Sequence, residues 1–228
     1  MKLRVVVNWA PYPIGTSRLA HQIYAAEKLH ELEPDWCEVF YARLPGEEAA
    51  PAPWNVVKLD REASSVTGGR RLPYMKEMFD VAVQGLPDDA WGGFFNSDII
   101  VTPGFFQAVQ EASEASQEVI ICHRTDIRKA DVAPEDGQKV NQRTCTDGYF
   151  LRAGIWRKWR EAIPDFVMGE PWWDTGMIWW AKYRGLAQVH LGDHEILHLV
   201  HRRYWRRASD GAKYNSRLGR NLLKGKVL

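Results

Sequence analysis

The chain has 228 residues, 45% hydrophobic and 26% charged, with a formal net charge of +1. These proportions exclude a fibrous or disordered protein and fit one large globular domain, or one with a small appendage. Three widely spaced cysteines (Cys37, Cys122, Cys145) form no Cys-x-x-Cys pair. That excludes a disulfide framework and a cysteine-based zinc site, and fits reduced thiols in a cytoplasmic compartment. The apolar run after Met1 is too short for a signal-peptide core. No run approaches the ~18 apolar residues of a membrane span, so no transmembrane segment is expected.

Leu3 to Val7 is an apolar run broken only by Arg4, with three consecutive valines, which fits a buried parallel strand. A loop with Pro11, Pro13 and Gly15 follows, and Thr16 or Ser17 caps a helix from about Arg18 to Leu32. Trp36 to Ala42 reads as a second strand and Trp54 to Leu59 as a third, ending at Asp60. Gly68, Gly69, Arg70 and Arg71 form a loop before a helix of about Tyr74 to Gln84. Paired arginines there suit phosphate, since guanidinium is a planar multi-donor cation, or form a solvated pair.

Gly92 to Phe106 (GGFFNSDIIVTPGFF) organises the rest. A short apolar strand, Gly93 to Phe95, delivers an Asn96-Ser97-Asp98 turn, and Ile99 to Val101 runs on to Thr-Pro-Gly. At the carboxyl edge of an open α/β sheet, where ligands bind, such a turn offers Asp98 to a hard cation bridging a diphosphate. The plainer alternative is a strand ending in a turn, because these residues bond their own backbone.

A helix from Phe105 to about Ser116 and a buried strand from Glu118 to His123 follow, then a polar, loop-like stretch from Thr125 to Lys139. Alternating strands and helices predict a three-layer α/β domain with a mostly parallel sheet. Asp147-Gly148 turns into a strand, Tyr149 to Arg152, and Gly154 opens a short helix. In Met168 to Trp180 (MGEPWWDTGMIWW), Pro171 begins a helix, with Glu170 and Asp174 near its start. These acids read either as helix-end charges over an aromatic core, or as a catalytic carboxylate beside a tryptophan platform. Leu186 to Leu191 is the last expected strand.

From His198 onward the chain carries nine lysines and arginines against Asp210 alone, a local +8 that leaves −7 on residues 1–197. With Tyr204, Trp205 and Tyr214 interleaved, this segment suits a polyanion, or folds back onto a diphosphate.

The segments RRLPYMKEMFD (70–80), FFNSDII (94–100), TDGYFLRAGIW (146–156) and GEPWWDTG (169–176), with the histidines of 194–205, resemble in order the parts of a GT-A type glycosyltransferase. The resemblance implies a Rossmann-like α/β/α sandwich whose catalytic part covers 1–197, with a nucleotide-binding half of about 1–125 and an acceptor half of about 140–197, followed by the basic segment 198–228. It implies a Mn²⁺ or Mg²⁺ ion held by Asp98 with His198 or His201. Here Asn96-Ser97-Asp98 replaces the family's usual Asp-x-Asp, leaving one carboxylate. Expected donor-binding residues are Asn8, Asp60, Arg70, Arg71, Asn96, Ser97, Asp98 and Arg202; expected acceptor residues are Asp147, Gly148, Trp172 and Trp173. Asp174, with Glu170 second, matches the base of inverting members. The implied partners are a nucleotide-sugar donor and an acceptor glycan, small molecule or DNA carrying modified bases. A non-catalytic nucleotide- or polyanion-binding module on the same fold is the competing class.

Overall fold

The computed structural model describes residues 1–47, 54–128, 138–139, 146–192, 194–200 and 208–225. Its elements in chain order are β1 (Leu3–Asn8), α1 (Ser17–Leu32), β2 (Cys37–Arg43), β3 (Val56–Lys58), α2 (Met75–Val83), β4 (Trp91–Asn96), β5 (Ile99–Val101), α3 (Pro103–Glu114) and β6 (Val119–Cys122). Then come β7 (Thr125–Ile127), β8 (Gln138–Lys139), β9 (Gly148–Arg152), α4 (Ala153–Trp159), α5 (Trp173–Tyr183), β10 (Gln188–Leu191), β11 (Ile196–Leu199) and α6 (Asp210–Leu223).

Seven strands form the central sheet in the order β10-β6-β9-β4-β1-β2-β3. All its pairings are parallel except those of β9, which runs antiparallel between β4 and β6. The strand period of two divides each strand between two cores. Leu3, Val5 and Val7 of β1, Phe95 of β4 and Phe150 of β9 pack with α1 and α3 on one face. Val6, Phe94, Tyr149 and Leu151 pack with α2, α4 and α5 on the other. The three layers follow directly from this alternation.

A second sheet, β5-β11-β7-β8, stands at the carboxyl edge of the first. It corrects two sequence expectations. The stretch from Thr125 to Lys139 contains strands rather than only loop, and β10 is not the last strand. β7 is very short and polar, and the apolar residues of β11 are broken by His198; β11 pairs on both sides at once. The strand β11 also crosses the expected division at residue 197.

The basic segment supplies α6, whose N-cap Ser209 accepts a hydrogen bond from Ala212 N. Asn215 of α6 is fully buried and bonds both N–H and C=O of Val167. At the other end of the chain, Gln22 of α1 is buried and its amide pairs with the N–H and C=O of Ala10. That pairing fixes the loop that follows β1.

Candidate active site at the sheet edge

Register brings the site together. Asn8 at the end of β1 lies opposite Asn96 at the end of β4. Phe95 is paired with Gly148, so Asp147 arrives beside Asn96. Asn96 N–H donates to Asp147 O at 3.1 Å. Its side-chain amide donates to Asp147 Oδ1 at 2.7 Å. The first residue of the Asn-x-Asp turn therefore ties down the acceptor-half aspartate and leaves Asp98 as the carboxylate of the turn.

The second sheet supplies the partners of Asp98. In β11, His198 lies opposite Ile99 of β5 and opposite Asp126 of β7. Its Nδ1 is 2.8 Å from Asp126 Oδ1, and its Nε2 is 3.5 Å from Asp98 Oδ2. Burial works against charge on this ring, but the hydrogen bonds to Asp126 and Asp98 outweigh it and raise its pKa to about 9. Arg124 extends the network, donating to Asp126 Oδ1 and Asp147 Oδ2, each at 2.8 Å. Asp126 loses some stability as an anion through burial, yet His198 and Arg124 hold its pKa below the usual carboxylate value.

With both ring nitrogens facing carboxylates and its pKa raised to about 9, His198 is protonated at neutral pH, so an ion at Asp98 would have to displace its Nε2 proton. Once that proton is lost, His198 would offer Nε2 beside Asp98 Oδ2 while Asp126 engages Nδ1, the arrangement that orients a histidine ligand. Among the described residues no cluster of three or more His, Cys, Asp or Glu completes a cage. An ion held by so few side chains would need further oxygen donors, which magnesium commonly takes from phosphate and water.

Asp174 lies in the first turn of α5. Desolvation raises its pKa, a hydrogen bond from Thr175 N–H at 2.7 Å opposes that, and the charge of Asp147 adds to the rise; the result is about 6. Trp172, at φ 84°, immediately precedes the helix and is 46% exposed. A tryptophan in the left-handed region is uncommon and marks a constrained position.

Several expected site residues have other work here. Glu170 is sealed: it accepts from Arg70 and from Ser209 Oγ, each at 2.5 Å, and its side chain is fully buried. Gly211 allows this, since a Cβ there would lie 2.5 Å from Glu170 Cγ. Glu170 thus joins the arginine loop to α6. Arg71 bonds Glu62 and the Pro45 carbonyl rather than pointing to the rim. Trp173 is buried with its ring 5.4 Å from that of Phe94, so Trp172 alone is left for an exposed aromatic platform. Gly148 is required by packing: a Cβ there would meet the Phe95 ring at 2.3 Å. Asp60 is exposed beyond β3, with its N–H donating to Glu77. Ser97 lies in the turn beside Asp98. His201 and Arg202 lie outside the described residues.

Sequence reasoning missed Arg124 and Asp126. The available signal was a charged pair immediately after a buried strand, at the edge where such sheets bind ligands.

A carboxylate turn at the rim of β4, an antiparallel β9 inserted between β4 and β6, and a small second sheet behind that turn form one architecture. Two solved structures share the overall fold. One is S. aureus TarS 1-349, with TM-score 0.50 and 12% identity over 87% of this chain and 60% of that one. The fold is of the GT-A type. The other is a Bacillus anthracis protein described as a glucose-1-phosphate thymidylyltransferase in complex with a sucrose. Its TM-score is 0.50 and its identity 11%, over 100% of this chain and 96% of that one. The present chain therefore spans 60% of the TarS chain's length. No family model and no curated protein matches the sequence. Asp98, Asp147, Asp174 and His198 lie toward the carboxyl edge of the sheet, where open α/β sheets take ligands.

Proposed function

We propose that this protein is a glycosyltransferase that moves a sugar from a nucleotide-diphosphate donor to an acceptor hydroxyl with inversion. One observation carries the reading: Asp174 stands at the sheet rim beside Asp147 with its pKa raised to about 6. A carboxylate tuned toward neutrality by burial and a like charge is a candidate general base.

Asp98 and His198 would hold a Mn²⁺ or Mg²⁺ ion, which supplies positive charge to the departing diphosphate. Asn96 and Arg124 fix Asp147 from both of its oxygens. Asp147 in turn raises the proton affinity of Asp174. Asp174 accepts the proton of the acceptor hydroxyl as its oxygen bonds to the anomeric carbon. The bond from that carbon to the phosphate oxygen breaks, and its electron pair leaves with the nucleotide diphosphate. Trp172, exposed next to Asp174, offers a flat apolar face to the acceptor or to the sugar.

The test is a panel of nucleotide diphosphates and nucleotide-sugars with Mn²⁺, read first by thermal shift and then by release of nucleotide diphosphate. Binding to the native state raises the melting temperature by mass action. The reading requires one nucleotide family to stabilise the protein and its sugar derivative to be turned over. Stabilisation without turnover of any nucleotide-sugar, with acceptors supplied, would instead mark a binding module.

A further inference from the structure

We infer that α6 is a docking face for an anionic lipid surface. Lys213, Arg217 and Arg220 of α6 and Lys224 at its C-cap are all exposed. Their spacings of four, three and four put the side chains on one line of a helix. At 1.5 Å of rise per residue, that line is about 16 Å long. Gly211, Ala212, Asn215 and Leu222 are buried, so α6 is fixed with its cations outward.

The charges on this line are nearly uncompensated. Lys213 approaches Asp210 at 3.4 Å with both side chains about two-thirds exposed, which is a weak pair. Arg217 lies over the Tyr214 ring and Arg220 donates to Ser216 O. Among the described residues, no ion pair involves Arg217, Arg220 or Lys224. Lys213, Arg217, Arg220 and Lys224 against Asp210 leave this face a net +3, which an anionic surface attracts.

Lipid fits better than nucleic acid. Leu223, next to the end of the line, is 44% exposed. On α5, which packs against α6, Trp179 and Tyr183 are 43% and 68% exposed, and the Lys182 ammonium lies 5.3 Å from the Trp179 ring centroid. Exposed indole and phenol rings beside lysine are side chains of the headgroup region. Single-stranded nucleic acid needs open aromatic faces between the cations for its bases. The one aromatic residue of α6, Tyr214, is partly buried and covered by Arg217. A plane of lipid phosphates asks only for a row of cations, at about 1 kcal/mol each.

The experiment is flotation of the full chain with phosphatidylcholine vesicles, with and without phosphatidylglycerol, at low and high salt. The chain should float only with phosphatidylglycerol and be released by salt. Changing Lys213, Arg217, Arg220 and Lys224 together to Gln should weaken partitioning several hundredfold, about fivefold per charge. The melting temperature should be kept. Exchanging Lys for Arg and Arg for Lys at the same four positions should preserve flotation, showing that charge is what is read. Equal binding to phosphatidylcholine alone, no flotation, or full flotation of the Gln variant would overturn the inference. So would tighter binding to an oligonucleotide than to the vesicles, lost in the same variant. Donor turnover is not used as a readout, so the result is independent of the proposed transferase activity.

Discussion

His198 faces Asp98 across 3.5 Å because β11 lies directly beside β5, pairing His198 with Ile99, the residue after the turn. On its other side the same ring meets Asp126, whose strand β7 flanks β11 in register. One strand between two others thus builds both carboxylate contacts of the ring, and the proposed ion would use the first and be aimed by the second.

Asp126→Asn tests that aiming. The amide oxygen accepts from the Nδ1–H without the charge of a carboxylate, so the ring is held less firmly. Changing such an outer partner typically costs 10- to 100-fold in metal affinity or activity. Mn²⁺ titration followed by electron paramagnetic resonance should show a loss of that size. Asp98→Ala should abolish both Mn²⁺ binding and turnover while the melting temperature stays near that of the parent. Unchanged Mn²⁺ binding in both variants would place the ion elsewhere.

Asn96→Asp restores the Asp-x-Asp spelling and should nonetheless harm the protein. Asn96 donates to Asp147 Oδ1 at 2.7 Å, and a carboxylate there would put two acceptor oxygens in contact. Replacing this part-buried donor by a like charge costs about 1–3 kcal/mol. Denaturant titration at neutral pH should show that loss, with turnover lowered rather than raised. A gain in turnover would mean that Asn96 is a weakened metal ligand and not a tie for Asp147.

The central sheet was legible because its strands are apolar runs: Val5, Val6 and Val7, or Ile120 and Ile121, fit nothing else as well. Asp98 was legible because it follows such a run. The second sheet was not. The short β7 and β11 place Asp126 and His198 where hydrophobic residues would have marked a strand. The choice between Glu170 and Asp174 was also hidden. Both precede or open one helix, and burial under Ser209 and Gly211, far along the chain, separates them.

Glu170→Gln should report stability and not chemistry. The change removes the charge that Arg70 and Ser209 hydrogen-bond. Arg70 is 41% exposed and recovers water, so the cost should be about 1–3 kcal/mol, below that of a fully buried pair. The expected outcome is a lower melting temperature with turnover within a few-fold of the parent at a temperature where both are folded. A hundredfold loss of turnover without a change in melting temperature would make Glu170 the base.

Asp174→Asn should separate activity from stability in opposite directions. As a base, Asp174 must be ionised, so kcat/KM of the parent should rise with pH through about 6 and level above it. The variant should lose about 10²- to 10⁴-fold in turnover, the usual contribution of general base catalysis, together with that rise. Stability follows the other sign. Because the folded pKa lies above the unfolded value of 3.8, folding favours the protonated acid; this support is full below 3.8 and is lost as pH rises through about 6. The ionised side chain therefore costs stability at neutral pH, on the order of 1–2 kcal/mol once its partial contact with solvent is allowed for. Asn carries no such penalty. The variant should melt higher than the parent at pH 8, with the difference shrinking toward pH 4. An inactive variant that melts lower at pH 8 would show that the carboxylate holds the fold together, and the assignment of Asp174 as the base would fall.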